Sequence, residues 1–263
     1  MSLTTEATHW LQRLRERADI APARPRDPLW LAAPQARVGS VEPALAERLR
    51  GAGLPLRAAD AGWWIEGEAD AALARIAQWL HEQGLASRWR NELLAVDDAQ
   101  GTPVARIERA AVRPLGITTH AVHLIGRSAE GHHWVQQRAL DKSTDPGLWD
   151  TLMGGLVSAD EHIEQTLERE TWEEAGLRLS QLDALRAHGR VTVRRPLREG
   201  YMVEHIHIFE ATLKPGAVPV NQDGEVAQFE CVSPAALRQR LLDDAFTLEA
   251  ALVLAQAGGV FTA

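Results

Sequence analysis

The sequence predicts an α/β (α+β) protein in two parts, a small α/β domain over residues 1–110 and a larger domain over residues 111–263. Three observations lead to this prediction. In the first part, segments with the apolar spacing of helices lie before and after a short strand pattern. After residue 104 the chain is rich in apolar, β-branched runs that are typical of strands. One strong helix pattern covers residues 159–175. The length of 263 residues accommodates two domains, since one domain usually holds roughly 100–200 residues.

The first part is predicted to contain an amphipathic helix, a proline-rich connection, two further helices and a short strand. The proline-rich connection cannot continue the first helix, because proline lacks the backbone N–H that a helix interior needs. The last helix should turn Leu73, Ile76, Ala77 and Leu80 inward. The predicted helices are 3–17, 42–50 and 69–82, and the predicted strand is 62–66.

The second part is predicted to be a sheet with helices before and after its last strands. A glycine pair precedes its strongest helix, and a turn signal at residues 221–225 precedes the last two helices. The predicted strands are 104–112, 120–126, 133–139, 189–195 and 201–213, and the predicted helices are 159–175, 234–243 and 247–257.

Composition narrows the class of protein. The formal net charge of −8 argues against a nucleic-acid partner, because such proteins usually present a basic face. Cys231 is the single cysteine, so no intramolecular disulfide is possible, which fits a reducing compartment. The sequence shows neither a signal-peptide pattern nor an apolar run of about 20 residues, so we expect a cytoplasmic protein without a membrane partner.

The most informative segment runs from Gly155 to Leu177. Glu170, Glu173 and Glu174 stand at helical spacing i, i+3 and i+4, which places their carboxylates on one face. Like charges at this spacing repel, and a hard divalent cation would turn that cost into a binding site. An acidic stripe on a helix can also be an ordinary solvated face. The adjacent glycine pair and the spacing favour a metal–phosphate site.

The same segment resembles the Nudix box: Gly155, five residues, Glu161, seven residues, Arg169-Glu170, then Glu173-Glu174, Gly176 and Leu177. The one departure is Thr171, where an aliphatic residue is usual. The resemblance implies a Nudix fold, in which a mixed sheet is sandwiched between helices. It also implies Mg²⁺ or Mn²⁺ as cofactor and hydrolysis of an organic diphosphate.

The resemblance further implies the roles of individual residues. Glu170, Glu173 and Glu174 would ligate the metal together with the carbonyl of Gly154, and Arg169 would orient the glutamates. Glu161 has two interpretations, because Ser158 and Glu161 fit a helix capping box and the box glutamate can also act in catalysis.

Further candidates lie outside the box. Nudix enzymes often recruit a carboxylate from a distant loop, and Glu225 in the turn at residues 221–225 is our candidate, with Asp223 as its competitor. Either Glu170 or Glu225 would accept the proton from the attacking water. The complete set of catalytic candidates is Glu170, Glu174 and Glu225.

Three residues are candidates for substrate contacts. Arg138 and Lys142 could hold phosphate, and Trp149 could stack on an aromatic ring, although surface charge and burial are the competing interpretations. His205 and His207 alternate along one strand, but the sequence shows no third metal ligand, which favours a structural role.

A broader likeness covers residues 85–230 and resembles a Nudix subfamily with an extra N-terminal domain, including the Nudix portions of fungal thiamine pyrophosphokinase-related proteins. It implies thiamine diphosphate or its oxidised analogues as substrate. Two alternatives remain open, a nucleotide-sugar or dinucleotide pyrophosphatase acting on ADP-ribose or NADH, and a non-catalytic regulator. Nudix domains often form homodimers, although the sequence carries no interface signature.

Overall fold

The computed structural model describes residues 5–142, 144–257 and 259–261. Within these ranges the helices predicted from periodicity are present, and no helix is both long and apolar enough to cross a bilayer. The α-helices are α1 Thr5–Ala18, α2 Pro43–Gly51, α3 Ala69–Glu82, α4 Ile163–Ala175, α5 Pro234–Leu242 and α6 Leu248–Ala257.

In the part of the chain that the structure describes, the strands form two larger sheets and one hairpin. The strands are β1 Asp27–Leu31, β2 Ala36–Val41, β3 Leu56–Ala59, β4 Gly62–Ile65, β5 Leu93–Asp97, β6 Pro103–Glu108, β7 Thr118–Arg127, β8 His133–Arg138, β9 Trp149–Asp150, β10 Met153–Leu156, β11 Leu182–Leu197, β12 Gly200–Leu213 and β13 Val226–Val232.

The N-terminal sheet has the strand order β2-β1-β4-β3, with β1 parallel to β4 and the other pairs antiparallel. Its core contains the four residues of α3 that periodicity placed inward, and each of them is fully buried. The predicted helices α2 and α3 and the strand β4 are therefore confirmed. The same core extends through Val112, Leu115 and Ile117 as far as the start of β7.

The C-terminal sheet is mixed, as the Nudix resemblance implied. Its order is β11-β12-β7-β8-β13, with β10 paired to β7 and β9 paired to β8. Strands β7 and β12 are parallel, and the remaining pairs are antiparallel. Predicted strand 104–112 is shorter than expected, because the chain turns into a short 3₁₀ helix at Arg109–Ala111.

Helices cover both faces of this sheet. Ile206 and Ile208 of β12 belong to the core shared with α1 and α6, whereas Ala211 and Leu213 belong to the core shared with α4. Helix α1 precedes the N-terminal sheet in the chain, yet Trp10 and Leu14 pack in the core of the C-terminal sheet. Thus α1 buries its apolar stripe on the second domain, which sequence proximity did not indicate.

Candidate active site

The box helix α4 packs against the glycine pair of β10. Gly154 and Gly155 pair with His123 and Val122 of β7, and the Glu170 carboxyl lies directly against Gly155. A Cβ at Gly155 would collide with that carboxyl, so only glycine lets the acidic helix approach the strand this closely. The helix ends at Gly176, whose φ of 62° is the left-handed conformation that glycine adopts without strain.

The buried side of α4 follows the predicted stripe. Leu167, Thr171 and Ala175 are buried, and Ile163 packs partly buried against the same core. Thr171, which departs from the box pattern, donates its hydroxyl to the Leu167 carbonyl oxygen at 2.5 Å. The Thr171 hydroxyl group is therefore hydrogen-bonded within the helix, on the buried side and not on the acidic face.

Glu174 is the most deeply buried carboxylate of the box, with 3% of its surface exposed. Its Oε2 accepts hydrogen bonds from Gln136 Nε2 at 2.9 Å and from the Gly154 backbone N–H at 3.0 Å. Burial raises the pKa of Glu174 to about 8, and the charge of Glu170 raises it as well. The two hydrogen bonds and the charge of Lys142 act to lower the pKa but do not outweigh burial. Burial therefore disfavours the charged form of this carboxyl group in the chain without a bound cation.

Arg169 holds the other two box carboxylates. Its Nη1 donates to Glu170 Oε1 at 2.7 Å and to Glu173 Oε2 at 3.0 Å. Burial raises the pKa of Glu170, and the charges of Glu173 and Glu225 add to this, while Arg169 opposes it. Arg169 therefore orients two predicted metal ligands, in agreement with the role that the resemblance implied.

Glu161 contacts Arg169 and does not cap the helix. Its carboxylate accepts from Arg169 Nε at 2.7 Å, Arg169 Nη2 at 2.8 Å and the Thr166 hydroxyl at 2.8 Å. The capping box predicted for Ser158 and Glu161 is wrong, because α4 begins only at Ile163. At the true start, the His162 N–H donates to Gln165 Oε1 at 2.8 Å.

The carboxylates of Glu170, Glu173 and Glu174 do not converge on one point. Across residues 5–142, 144–257 and 259–261, no three His, Cys, Asp or Glu side chains are grouped closely enough to hold an ion. Arg169 draws Glu170 and Glu173 toward itself, whereas Gln136 and the Gly154 N–H hold Glu174. Helical spacing alone therefore overstated how tightly these side chains cluster.

Glu225 lies beside the box and forms an ion pair with Lys142. Burial acts to raise the pKa of Glu225, but the hydrogen bond and charge of Lys142 outweigh it, so the net pKa is lowered. Asp223 instead accepts the Glu225 backbone N–H at 2.8 Å and so shapes the turn. The charge of Glu225 acts on Glu170 of the acidic helix, and both Glu225 and Asp223 line the pocket beside it, so the role of Glu225 as fourth carboxylate stays a prediction.

A polar pocket of about 460 Å³ opens beside Lys142 and Glu225. Its described lining comes from segments 87–90 and 109–117, from strands β7 and β12, and from the loops that contain Lys142 and Glu225. Among its wall residues are both predicted phosphate contacts, Arg138 and Lys142. The wall also contains residues that the sequence did not single out, namely Arg88, Arg90, Arg109, Arg113, Thr119 and Glu204.

Trp149, the third predicted substrate contact, is not among the described residues that line this pocket. Its backbone forms hydrogen bonds with the backbones of Ala245 and Thr247. Its ring is partly buried against the core, and the Cζ atom of Arg240 lies 4.5 Å from the ring centroid. The Trp149 ring therefore packs against the core and is not part of the described lining of this pocket, and a contact with substrate stays a prediction.

His205 and His207 lie beside a third imidazole. His120 Nδ1 is 3.1 Å from His207 Nε2, and His120 Nε2 is 2.8 Å from Asp97 Oδ2. His205 Nδ1 is 2.9 Å from the Thr192 hydroxyl. This network joins the β5–β6 hairpin to the sheet, which fits the structural role predicted for these histidines.

Comparison with known families identifies the domain that carries the acidic helix. The NUDIX domain model matches residues 117–253, more than half of the chain. This chain belongs to the Nudix family. Four pocket arginines, Arg88, Arg90, Arg109 and Arg113, lie outside the matched Nudix range.

Two plant proteins are similar to this chain. Nudix hydrolase 24, chloroplastic, and Nudix hydrolase 20, chloroplastic, both of Arabidopsis thaliana, are each 32% identical over 165 residues, or 61% of this chain. The match covers 45% and 44% of their own lengths, so this chain spans less than half of either relative.

The fold is shared with a solved structure. The crystal structure of DR0079 from Deinococcus radiodurans superposes with a TM-score of 0.51 at 22% identity. The superposition covers 63% of this chain and 99% of that chain. It supports the Nudix fold prediction and carries no information about substrate.

The Nudix helix offers a donor set that fits Mg²⁺ or Mn²⁺. Its candidate ligands, Glu170, Glu173, Glu174 and the Gly154 carbonyl, are all oxygen atoms, which hard divalent cations prefer. The space above Gly155 admits a carboxylate and excludes a side chain. A cation near Glu174 would also offset the cost of burying that charge. The residues of this site therefore fit the cofactor expected for the Nudix family.

Proposed function

We propose that this chain hydrolyses the diphosphate linkage of a small organic diphosphate in a reaction that depends on Mg²⁺ or Mn²⁺. One observation carries the proposal: the acidic Nudix helix packs against a glycine strand, and Glu225, whose charge acts on Glu170 of that helix, lines a pocket that also contains several cationic side chains. An overall negative protein can bind an anionic substrate when the cation and local arginines supply positive charge.

The cation would be held by Glu170, Glu173, Glu174 and the Gly154 carbonyl. When bound, a divalent ion neutralises phosphate oxygens and makes a water molecule more acidic. Arg169 would keep the glutamates in position through the hydrogen bonds described above, with Glu161 holding Arg169 in turn.

The bond changes in this proposal are simple. The water oxygen forms a bond to one phosphorus, and the bond from that phosphorus to the bridging oxygen breaks. A carboxylate, Glu170 or Glu225, takes the proton of the water. The charge of Glu225 acts on Glu170, and Lys142 forms an ion pair with Glu225. Lys142 and Arg138 would steady the phosphate oxygens at the pocket wall.

Thiamine diphosphate and its oxidised analogues are our first candidate substrates, with the monophosphate and phosphate as products. The likeness of residues 85–230 to the Nudix portions of fungal thiamine pyrophosphokinase-related proteins supports this choice. The pocket volume of about 460 Å³ is within the range of small-molecule sites, which is roughly 300–1,000 Å³.

A metal-dependent hydrolysis panel tests the proposal. Phosphate and monophosphate release would be measured with Mg²⁺ for thiamine diphosphate, oxothiamine diphosphate, ADP-ribose, NADH and nucleoside diphosphates, with Glu173→Gln as the blank. Preference for the thiamine compounds supports the substrate assignment. Preference for ADP-ribose or NADH keeps the hydrolase and rejects that assignment. No metal-dependent release from any compound would contradict the hydrolase proposal and favour a non-catalytic ligand-binding regulator.

A further inference from the structure

Glu204 on β12 is one of the carboxylates that line the pocket. It is partly buried and lines the wall near the first residues of β7. Its Oε2 accepts a hydrogen bond from the Thr119 hydroxyl at 3.1 Å. Among the residues that the structure describes, no other group donates a hydrogen bond to this carboxylate, so Oε1 is available to a ligand.

The surroundings make an unsatisfied carboxylate at this position costly. Burial raises the pKa of Glu204, and the charge of Glu249 adds to the shift, while Thr119 and the more distant Arg113 and Arg109 oppose it. A ligand that donates a hydrogen bond to Oε1 would compensate for lost hydration. This arrangement is typical of a recognition group inside a binding pocket and unusual for a carboxylate that only supports the fold.

The remaining pocket walls indicate what kind of group would meet Glu204. Ile117, Leu156 and Met202 present aliphatic surface, and the described lining contains no aromatic side chain. Aliphatic walls suit the flat face of a heterocycle better than the hydroxyl-rich face of a sugar. A heterocycle held between such walls would direct an edge substituent toward the carboxylate.

The pocket lining also contains cationic side chains. Arg88, Arg90 and Arg113 line the pocket, and their side chains form no ion pair within residues 5–142, 144–257 and 259–261. Together with Lys142, they favour phosphate oxygens over a cationic group. The pocket therefore combines cationic side chains that can bind an anion with a partly buried carboxylate, Glu204, on strand β12.

We propose that Glu204 is a specificity-determining residue that accepts a hydrogen bond from an amino group on the heterocycle of an organic diphosphate. The inference rests on the proposed function, which supplies the diphosphate end of the ligand. The ionised carboxylate rejects a carbonyl oxygen at the same position, because both groups then only accept hydrogen bonds. The pocket should therefore prefer an amino heterocycle over its oxo analogue.

Equilibrium binding tests this inference without requiring turnover. Titration calorimetry would use the full chain carrying Glu173→Gln, with Mg²⁺, and two pairs of ligands that differ in an amino or oxo group: thiamine diphosphate with oxythiamine diphosphate, and ADP with IDP. We expect the amino member of at least one pair to bind about tenfold more tightly. Adding Glu204→Gln should reduce that preference to less than about twofold, since an amide can donate to a carbonyl.

Glu199→Gln is the matched control, because Glu199 is a second carboxylate at the rim of the same pocket and should leave the preference unchanged. Equal binding of both members of each pair, or no binding of any, overturns the inference without any need for a folded Glu204→Gln variant. A preference that survives Glu204→Gln also overturns it. A Glu204-dependent preference in a chain that hydrolyses nothing would contradict only the proposed function.

Discussion

Arg169 Nε donates to Glu161 Oε1 at 2.7 Å, so the first glutamate of the box fixes the guanidinium that holds Glu170 and Glu173. The Glu161 contacts raise the pKa of Arg169 further above its already high value. Two residues eight positions apart in sequence thus form one support for the acidic face of α4.

Glu161→Gln should weaken this support without removing a predicted metal ligand. We expect kcat to fall about 10-fold to 100-fold and the Mg²⁺ concentration for half-maximal rate to rise, as is usual when a residue behind a ligand is changed. Steady-state rates across a Mg²⁺ series would measure both effects. Glu164→Gln, an exposed change on the same helix, is the control. A wild-type Mg²⁺ dependence in Glu161→Gln would contradict the supporting role.

Glu173→Gln should remove a metal ligand while the fold survives. The side chain is 45% exposed, so its loss costs little packing, but turnover should fall by at least about 100-fold. Phosphate release and the thermal unfolding midpoint would be measured together. Glu168→Gln, also exposed on α4, should keep wild-type turnover. Full activity in Glu173→Gln would reject the metal-site assignment.

Glu225→Gln tests the carboxylate supplied by the turn before β13. If Glu225 accepts the proton, kcat should fall on the order of 100-fold with little change in KM. The lowered pKa of Glu225 predicts that its carboxylate stays ionised through the neutral range. Initial rates at several substrate concentrations separate the two constants. An unchanged kcat would leave Glu170 as the proton acceptor.

Trp149→Ala should affect stability and not substrate binding. The partly buried ring packs in the core beneath Arg240, so its removal should cost roughly 2–3 kcal/mol, below the ~3–5 kcal/mol of a fully buried aromatic. Urea unfolding would measure the loss, and KM for the best substrate of the panel should stay within about twofold of wild type. A large rise in KM with unchanged stability would restore Trp149 as a substrate contact.

The histidine network should make stability depend on pH. Burial lowers the pKa of His205 and of His207 to about 4, from an ordinary value of 6.5. The folded chain then binds fewer protons than the unfolded chain between these values, so stability should fall as pH drops from about 6.5 toward 4. The charges of Arg190 and His120 also lower the pKa of both histidines. Asp97 acts to raise the pKa of His205, and Glu164 acts to raise that of His207.

Thermal unfolding midpoints at pH 7.5, 6.5, 5.5 and 4.5 would test this dependence. His205→Asn combined with His207→Asn should flatten the decline below pH 6.5 relative to wild type. His9→Asn, in α1 on the exposed surface, is the control and should keep the wild-type slope. An identical slope in the double variant would show that other groups, such as carboxylates, account for the acid sensitivity.

Local patterns predicted much of this fold. Helices α2, α3, α5 and α6 were predicted to within about two residues, since apolar periodicity and glycine or proline punctuation are local signals. The acidic helix was also predicted, but its start was placed four residues early. Asp160 and Glu161 suit a first helical turn, whereas the structure engages Glu161 with Arg169 instead.

The sequence by itself determined the Nudix helix, its glycine neighbours and the identity of the carboxylates, because these lie within one continuous segment whose spacing is set by the helix period. Only the tertiary structure decided which distant residues meet that segment. It brought Lys142 and Glu225 together, committed Trp149 to the core, and joined Arg88 and Arg113 to Glu204 around one pocket. Such contacts arise from strand order and packing between separate elements, for which a single sequence carries no local signal.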